Sequence, residues 1–205
     1  MPELSPRSLP EQKRSKQTVK LILDTTAELL EEVGIDRFNT NLLAERSGTR
    51  IRTIYRYFPN KLAIIIALAQ RWADMEKEWL NNYKAFYDLK NTWREAYDRL
   101  IDDYAAGVQQ QTGVAALRRA MQAVPELRDI ENHANQSLAE EFYKGLTSLG
   151  LNLPEKHAKV LSLAIVTASA ALLDFAWEEE GKEYRDELVE EVKAMGKNHL
   201  ASYLD

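Results

Sequence analysis

The twelve-residue run RIRTIYRYFPNK at 50–61 is the feature that most constrains how this chain folds. Ile51, Ile54 and Phe58 recur at the spacing of one face of an α-helix. Pro59 ends that helix, because the residue before a proline is pushed out of helical geometry. If the apolar stripe is buried, the opposite face turns outward with several cations and no acidic residue. Such a surface suits contact with phosphates and base edges.

The segments before this run predict a helix-turn-helix. A first helix is expected from about Ser15 to Val33, with Gly34 as its stop. Thr40 is placed to cap a second short helix, which Gly48 ends. Two short helices joined by a turn that contains glycine are typical of this motif, and the cationic run then forms the third helix of the chain.

The rest of the chain keeps helical periodicity and shows no strand-like alternation. Asn60 is placed to cap a fourth helix starting at Lys61. The later helices are expected at about 92–110, 114–123, 125–149, 154–180 and 182–204. The predicted fold is therefore all-α with about nine helices. It comprises a mobile basic arm over 1–14, a helix-turn-helix DNA-binding domain over 15–60 and a larger helical domain over 61–205.

The formal net charge of −5 is unevenly distributed along the chain. Residues 1–71 hold 12 Lys and Arg against 8 Asp and Glu, whereas the remainder holds 15 against 24. Phosphate attraction acts over about 8 Å at physiological salt, so the local excess of cations decides it. The pattern indicates a basic, DNA-facing head on an acidic body. Lys13, Arg14 and Lys16 form either a minor-groove arm or a solvated tail.

Several classes of protein and site are disfavoured. The absence of cysteine excludes disulfides and thiolate metal sites, and fits a reducing cytoplasm. The N-terminal segment lacks the apolar core of a signal peptide, and the longest apolar run, 161–171, is shorter than the roughly 20 residues that cross a bilayer. His133, His157 and His199 show no metal-ligand spacing, and no phosphate loop or nucleophile motif occurs. We expect a cytoplasmic protein without metal or cofactor, and an enzyme is the least favoured reading.

From about Val19 to Ala67 the chain resembles the DNA-binding domain of the TetR family of bacterial repressors. The run TIYRYFPNK, directly after a helix-turn-helix, carries most of this resemblance. The full set is Ala27, Leu30, Gly34, Phe38, Thr40, Ala44, Gly48, Thr53, Ile54, Tyr55, Tyr57, Phe58, Pro59, Asn60, Lys61 and Leu62. The resemblance implies a homodimer whose third helices enter successive major grooves of a palindromic operator. It also implies that 61–205 is a ligand-binding and dimerisation domain.

The resemblance, carried over position by position, and the outward-facing arginines of the 50–61 run together predict nine DNA-contacting residues. Thr40 and Lys61 would hold phosphates at helix N-termini, and Asn41 a phosphate or a base. The set is Thr40, Asn41, Arg50, Arg52, Thr53, Tyr55, Arg56, Tyr57 and Lys61. Arg50 and Arg52 depart from the family's usual small residues. Either can read guanine through bidentate bonds, worth about 1–3 kcal/mol, or hold a phosphate. Arg52 is favoured for a base and Arg50 for the backbone.

Two further sets of residues are candidates for a ligand pocket and a dimer interface. The pocket candidates are Trp93, Tyr97, Tyr104, Arg118, Gln122, His133, Phe142 and Trp177, although each aromatic residue can equally fill the core. The small-residue segment 161–175 and the amphipathic last helix favour a four-helix dimer seam, unless they pack inside their own subunit. The interface candidates are Leu161, Ile165, Ala168, Leu172, Leu188, Val192 and Met195.

The leading hypothesis is a transcriptional regulator, a repressor released from a palindromic operator by a small and largely apolar ligand. Such release requires that the ligand bind the non-DNA-competent spacing of the two heads more tightly. The alternative is a helical small-molecule binding or carrier protein that lacks specific DNA recognition. Operator binding with a steep dependence on salt separates the two.

Overall fold

A computed structural model describes residues 12–83, 92–178 and 181–205. These ranges contain nine α-helices and no strand, which confirms the predicted all-α fold. The helices are α1 Lys13–Arg37, α2 Thr40–Ser47, α3 Ile51–Tyr57, α4 Lys61–Asn81, α5 Trp93–Gln110, α6 Val114–Ala123, α7 Pro125–Ser148, α8 Glu155–Glu178 and α9 Lys182–Leu204. Most of the predicted arm lies outside the described residues. Its last two, Lys13 and Arg14, already belong to α1.

The chain divides into two compact units that do not follow the predicted domain boundary. The first contains the chain up to residue 73 together with 111–131, and the second contains 74–110 and 132–205. Helix α6 therefore belongs with the helix-turn-helix, because it packs against α1. The backbone N–H of Gly113 also donates to a Glu31 carboxylate oxygen at 2.8 Å, and sequence periodicity gives no sign of this long-range contact.

In the first unit, α1, α2 and α3 share an apolar core. Leu30 of α1, Leu43 of α2 and Ile54 of α3 are fully buried. Gly34, with φ of 70°, interrupts α1 where the sequence predicts its stop. Gly48 ends α2 with φ of 64°, a left-handed conformation that glycine adopts without a steric cost. The turn that leads into α3 is thus fixed by a residue type that the sequence already singles out.

The second unit is built around α5, α8 and α9. Helix α9 packs against both α8 and α5. Tyr97, Phe142 and Val192 are among the buried residues of a continuous core that also includes the end of α4 and the later part of α7. The aromatic rings of Tyr97 and Phe142 lie 6.2 Å apart between centroids in a tilted arrangement. Aromatic packing therefore supplies much of this core.

Three ion pairs join α5 to α9, one at each successive turn of α5. They are Arg94–Asp205 at 2.6 Å, Asp98–Lys197 at 2.6 Å and Asp102–Lys193 at 2.5 Å. Lys193 is buried, which alone would lower the pKa of its ammonium group, but hydrogen bonds to Asp102 and Glu190 raise that pKa overall. Exposed pairs contribute little to stability individually, so this ladder chiefly sets the alignment of the two helices.

Beside the ladder, α9 approaches the ring of Tyr97 at Gly196. A Cβ atom placed on Gly196 would lie 1.9 Å from the Tyr97 hydroxyl oxygen. The absence of a side chain at Gly196 is therefore what lets the tyrosine reach α9, and any larger residue there would displace the ring.

Residues 155–176 of α8 are long and apolar enough to cross a membrane by length and composition alone, with a mean hydropathy of 1.7. In the structure, 44% of the stretch is buried within the protein. Leu161, Ile165 and Leu173 of this helix belong to the core of the second unit. Since core helices pass the same test, packing within the unit accounts for the buried part of α8, and Val160, Leu163 and Phe175 stay exposed.

Candidate nucleic-acid interface and internal cavity

The start of α2 is fixed by Asn39 and not by Thr40. The Asn39 side-chain oxygen accepts hydrogen bonds from the backbone N–H groups of Asn41 and Leu42, at 3.1 and 3.0 Å. The predicted capping role of Thr40 is therefore wrong by one residue. Asparagine and threonine are both good N-cap residues, and Asn39 is the one that has the extended backbone of an N-cap. Thr40 is the first helical residue instead, and its hydroxyl lies 3.0 Å from that of Tyr55.

The inner face of α3 is largely as predicted. Ile54 and Phe58 are buried, and Ile51 is half-buried. Tyr57, however, is only 4% exposed, so the prediction that it faces outward is wrong. Tyr57 is the last residue of α3, and the chain becomes extended at Phe58. Its ring is thereby turned into the unit.

Arg56 is held against the ring of Tyr57. Its guanidinium carbon lies 4.8 Å from the ring centroid, and its Nη2 donates to the Tyr57 hydroxyl at 2.7 Å. Its planar guanidinium therefore already has a cation–π contact and a hydrogen bond. Of the predicted contact residues, Arg56 is thus the arginine that is partly engaged by the fold.

Unlike Arg56, Arg50 and Arg52 are not held against a neighbouring side chain within the described ranges. Both are exposed, Arg50 as the N-cap residue of α3 and Arg52 in its first turn. Among the described residues, neither side chain makes a hydrogen bond or an ion pair. By contrast, Arg46 of α2 donates two hydrogen bonds to Glu32, at 2.6 and 2.8 Å, and those bonds lower the pKa of the Glu32 carboxyl. On the outer face of α3, the two cations without a partner in the described part of the chain thus lie at the start of the helix.

The remaining predicted contact residues surround this pair of arginines. Asn41 and Lys61 are exposed, Tyr55 is 40% exposed and Thr53 is half-buried. Lys61 is the first residue of α4, and its ammonium nitrogen lies 3.5 Å from the Ile35 carbonyl oxygen. Asn60 caps α4 as predicted, accepting from the Ala63 N–H at 2.9 Å. The start of α4 thus carries a cation on a capped helix N-terminus.

A narrow cavity of about 70 Å³ lies inside the second unit. Its lining is almost wholly apolar and contains no cation. The lining residues are Trp79, Leu80, Tyr97, Leu100, Ile101, Tyr104, Leu138, Phe142, Ile165, Val166, Ser169, Ala170 and Leu173. Sequence analysis missed Trp79 and Ser169, because neither stands out until α4, α5 and α8 are brought together.

Two neighbouring hydroxyl groups are buried in the cavity wall without a well-formed hydrogen bond. Tyr97 and Ser169 are 1% and 6% exposed, and neither side-chain oxygen has a hydrogen bond of ordinary geometry. Burial raises the pKa of the Tyr97 hydroxyl, and Ser169 lies near enough to lower it in part. Tyr104, in contrast, donates to a Glu76 carboxylate oxygen at 2.7 Å. The polar character of the cavity is therefore concentrated at Tyr97 and Ser169.

Of the predicted pocket residues, Tyr97, Tyr104 and Phe142 line the cavity. Trp93 does not, because its indole N–H donates to Asp205 at 3.1 Å on another part of the unit. Arg118 belongs to the first unit, and His133 is exposed on α7, so neither contributes to this lining. These three placements correct the predicted set. The side chains of the other two candidates, Gln122 and Trp177, lie outside the described residues.

The predicted dimer-interface residues divide into two groups. Leu161, Ile165 and Val192 are buried in their own subunit, so the prediction that they face a partner is wrong. The apolar periodicity that singled them out reflects packing among α5, α8 and α9. Ala168, Leu172 and Leu188 are half-buried, and Met195 is exposed. The apolar residues that these two helices do expose are Val160, Leu163, Phe175, Tyr184 and Met195.

Within the ranges that the structure describes, no group of three His, Asp or Glu side chains is arranged to hold a metal ion. The three histidines are exposed. His157 and His199 each make an edge contact with the ring of Tyr203, with centroids 5.9 and 6.2 Å apart.

Both halves of the chain match protein families that are already described. Residues 22–68 match the family of bacterial regulatory proteins of the tetR family, and residues 91–204 match the tetracyclin repressor-like C-terminal domain. The HTH-type transcriptional regulator EthR of Mycobacterium tuberculosis is 29% identical over 109 residues, which cover 52% of this chain and 50% of that protein. The HTH-type transcriptional repressor KstR of Rhodococcus jostii is 33% identical over 67 residues, 32% of each chain. The matched segments thus span half or less of these relatives.

Solved structures agree over almost the whole length. A TetR-family transcriptional regulator from Streptomyces coelicolor has a TM-score of 0.69 at 26% identity, covering 93% of this chain and 99% of that one. A complex of SmeT with triclosan shares the fold, with a TM-score of 0.69 at 17% identity over 92% of each chain. Since the C-terminal match alone covers more than half of the sequence, this chain belongs to the TetR family of bacterial transcriptional regulators.

Proposed function

We propose that this protein is a DNA-binding transcriptional regulator that inserts α3 into the major groove. The observation that carries the proposal is the pair of exposed arginines at the start of α3, which have no partner among the described residues. Guanidinium groups bind guanine edges and phosphates through paired N–H donors. Arg52, inside the helix, is assigned to a base, and Arg50, at the N-cap, to the backbone.

Phosphate contacts flank this pair in the proposed complex. The N-terminus of α2, with Thr40 and Asn41, and the N-terminus of α4, with Lys61, offer donors where helix dipoles favour anions. Tyr55 adds an exposed hydroxyl that is already oriented by Thr40. Tyr57 is not assigned a base contact, because its ring is buried. Phosphate contacts of this kind fix the register of a recognition helix.

The proposed functional form is a homodimer on a palindromic operator. Support comes from the exposed apolar residues Val160, Leu163 and Phe175 on α8, and Tyr184 and Met195 on α9. Small residues, including Ala164 and Ala168, line a groove between the two helices, so another helix could approach closely. Two-fold symmetry would then place the two α3 helices at half-sites about one turn of DNA, roughly 34–36 Å, apart.

The cavity of the second unit is the proposed effector site. A small, largely apolar molecule bound there would act as an inducer, and the protein as a cytoplasmic repressor, if the ligand prefers the conformation that does not fit the operator. The structurally similar SmeT has been crystallised with triclosan, which supports a small-molecule effector in this fold.

The test is selection of DNA fragments from the source genome, followed by titration of the selected operator at several salt concentrations. We expect a palindromic consensus and an affinity that falls steeply with salt. Arg52→Ala should relax the preference at one base pair in each half-site. Equal affinity for selected and random DNA would overturn the proposal and favour the carrier alternative.

A further inference from the structure

The cavity wall contains an unusual arrangement of polar atoms for an otherwise apolar site. Of the thirteen lining residues, four carry any polar side-chain atom. One of them, Tyr104, already donates to Glu76. Tyr97 and Ser169 keep their hydroxyl groups buried, and neither has a hydrogen bond of ordinary geometry, although the two hydroxyl groups are close to each other. A buried hydroxyl group without a hydrogen bond loses its contact with water and gains no partner in exchange, which costs free energy. Such a group in a native structure therefore points to a partner that binds there.

The two hydroxyl groups belong to the same small region of the unit. Tyr97 projects from α5 and Ser169 from α8, and Ser169 is near enough to influence the titration of the tyrosine. The position of the tyrosine is fixed by its contact with Gly196, since no Cβ fits between them. Two hydroxyl groups from two helices thus lie close together, and both are shielded from water.

Two carboxylates lie near this site. Asp98, which raises the pKa of Tyr97, is paired with Lys197 in the ladder, and Glu76 lies buried behind Tyr104. No cation is among the lining residues. A carboxylate or phosphate ligand would therefore be desolvated in an apolar cavity whose lining offers it no counter-ion, which is strongly unfavourable.

We propose that Tyr97 and Ser169 form the polar anchor of the cavity, and that it binds uncharged, compact, mostly apolar molecules through one carbonyl-type oxygen. Such an oxygen has two lone pairs and accepts from both hydroxyl groups at once. The apolar body of the molecule packs against Trp79, Leu100 and Phe142. This inference rests on the proposed effector role of the cavity, and it names the chemical class of that effector.

The test uses three probes of nearly the same shape: acetophenone, which has a carbonyl group, α-methylstyrene, in which a CH₂ group replaces the oxygen, and benzoate, which is charged. Binding to the full-length protein is measured by NMR titration without DNA, so the result does not depend on whether an operator exists. We expect the order of affinity to be acetophenone, then α-methylstyrene, then benzoate.

The variants Tyr97→Phe and Ser169→Ala identify the anchor. Each should weaken acetophenone binding about three- to tenfold, the size of one neutral hydrogen bond, and leave α-methylstyrene unchanged. Tyr83→Phe is the matched control, because Tyr83 is a buried tyrosine that donates to Asp103 and does not line the cavity. Thermal melting establishes that each variant is folded.

Three outcomes would overturn the proposal: equal affinity for acetophenone and α-methylstyrene, tightest binding of benzoate, or no binding of acetophenone. An unchanged affinity of Tyr97→Phe for acetophenone would do the same. Operator binding is measured separately by fluorescence anisotropy. If the probes fail to show the carbonyl preference but the operator is still bound, only the proposed anchor is wrong. If the probes bind as expected but no operator is bound, only the proposed DNA role is wrong.

Discussion

The outer face of α3 and the cavity of the second unit both hold polar groups that the fold itself leaves unpaired, but water reaches only the first. Arg50 and Arg52 are exposed and fully hydrated, so their lack of internal partners costs the folded state little. Tyr97 and Ser169 are buried, and each unsatisfied hydroxyl costs about 1–3 kcal/mol. Leaving polar groups without internal partners therefore costs the folded state more free energy in the cavity than on α3.

This difference bears on how each region is changed by its partner. In the proposed DNA complex, phosphates and bases would replace water and counterions around arginines that were already hydrated, so affinity should depend on salt. In the proposed effector complex, the ligand would accept hydrogen bonds from hydroxyl groups that lack partners of ordinary geometry, so ligand binding should also raise the stability of the second unit. Substitutions in the two regions should consequently have opposite profiles, affecting binding alone at α3 and stability as well at the cavity.

The largest effect is expected from Arg52→Ala on operator affinity. Loss of a bidentate contact to guanine should weaken binding by about 1–3 kcal/mol, or roughly 5- to 150-fold, and the free energy of unfolding should change by less than about 0.5 kcal/mol. Fluorescence anisotropy and urea denaturation measure the two quantities. Arg46→Ala is the control, since Arg46 is paired with Glu32. A destabilised Arg52→Ala protein would mean that the arginine has an internal partner.

Two buried tyrosines test the cost of the unpaired hydroxyl. Tyr83→Phe removes a hydrogen bond to Asp103 of 2.7 Å and should lower the free energy of unfolding by about 1 kcal/mol. Tyr97→Phe removes a hydroxyl that makes no hydrogen bond of ordinary geometry, so it should leave stability unchanged or raise it. Urea denaturation of the ligand-free protein compares them. Equal destabilisation by both changes would show that the Tyr97 hydroxyl is satisfied.

Asn39→Ala should lower the free energy of unfolding of the first unit by about 1 kcal/mol, because it removes the N-cap of α2. Asn41→Ala, two residues later and exposed, is the matched control. It should leave stability unchanged while weakening operator binding. Calorimetry and anisotropy on the same samples separate the two effects. If Asn41→Ala proves the more destabilising change, the cap has been assigned to the wrong residue.

The smallest effect concerns Asp24, which pairs with Lys20 and Arg71. Partial burial raises the pKa of this carboxyl, but the hydrogen bonds to Lys20 and Arg71 lower it overall. Its stabilising contribution is therefore complete above the ordinary aspartate pKa of about 3.8, and it is lost as the pH falls through the lower value of the folded state.

Asp24→Asn should reduce stability slightly at neutral pH and flatten the acid limb of the stability curve. Acid titrations followed by circular dichroism measure both. Asp36→Asn on the same helix, exposed and without an ion pair among the described residues, is the control. An unaltered acid limb in Asp24→Asn would show that the pairing is too weak to matter.

The sequence predicts the α3 region well and the cavity poorly, for a physical reason. Gly34, Gly48 and Ile54 act through local geometry and helical periodicity, so the helix-turn-helix can be derived from neighbouring residues. Tyr57 was misassigned because its orientation depends on how the chain leaves α3. Ser169 could not be identified at all, because its environment depends on a residue seventy positions away.

The same limit explains the misassigned interface residues. Periodicity shows that Leu161, Ile165 and Val192 lie on apolar faces, but not which helix covers them. An apolar stripe packed against a neighbour in the same subunit and one packed against a second subunit have the same sequence pattern. Only the placement of α5 against α9 shows that these residues are interior.

The ladder between α5 and α9 also determines which movements of α9 are possible. Sliding α9 by one turn would bring Lys193 opposite Asp98, but it would also bring Lys197 opposite Arg94, a repulsive pair. Either direction of sliding would replace Gly196 by a larger residue, Val192 or Leu200, beside the Tyr97 hydroxyl. The ion pairs and the Gly196–Tyr97 contact thus fix the position of α9 along the axis of α5. A conformational change that reaches α9 is therefore expected to proceed by rotation or separation of the helices, because sliding is opposed by shape in both directions and by charge in one.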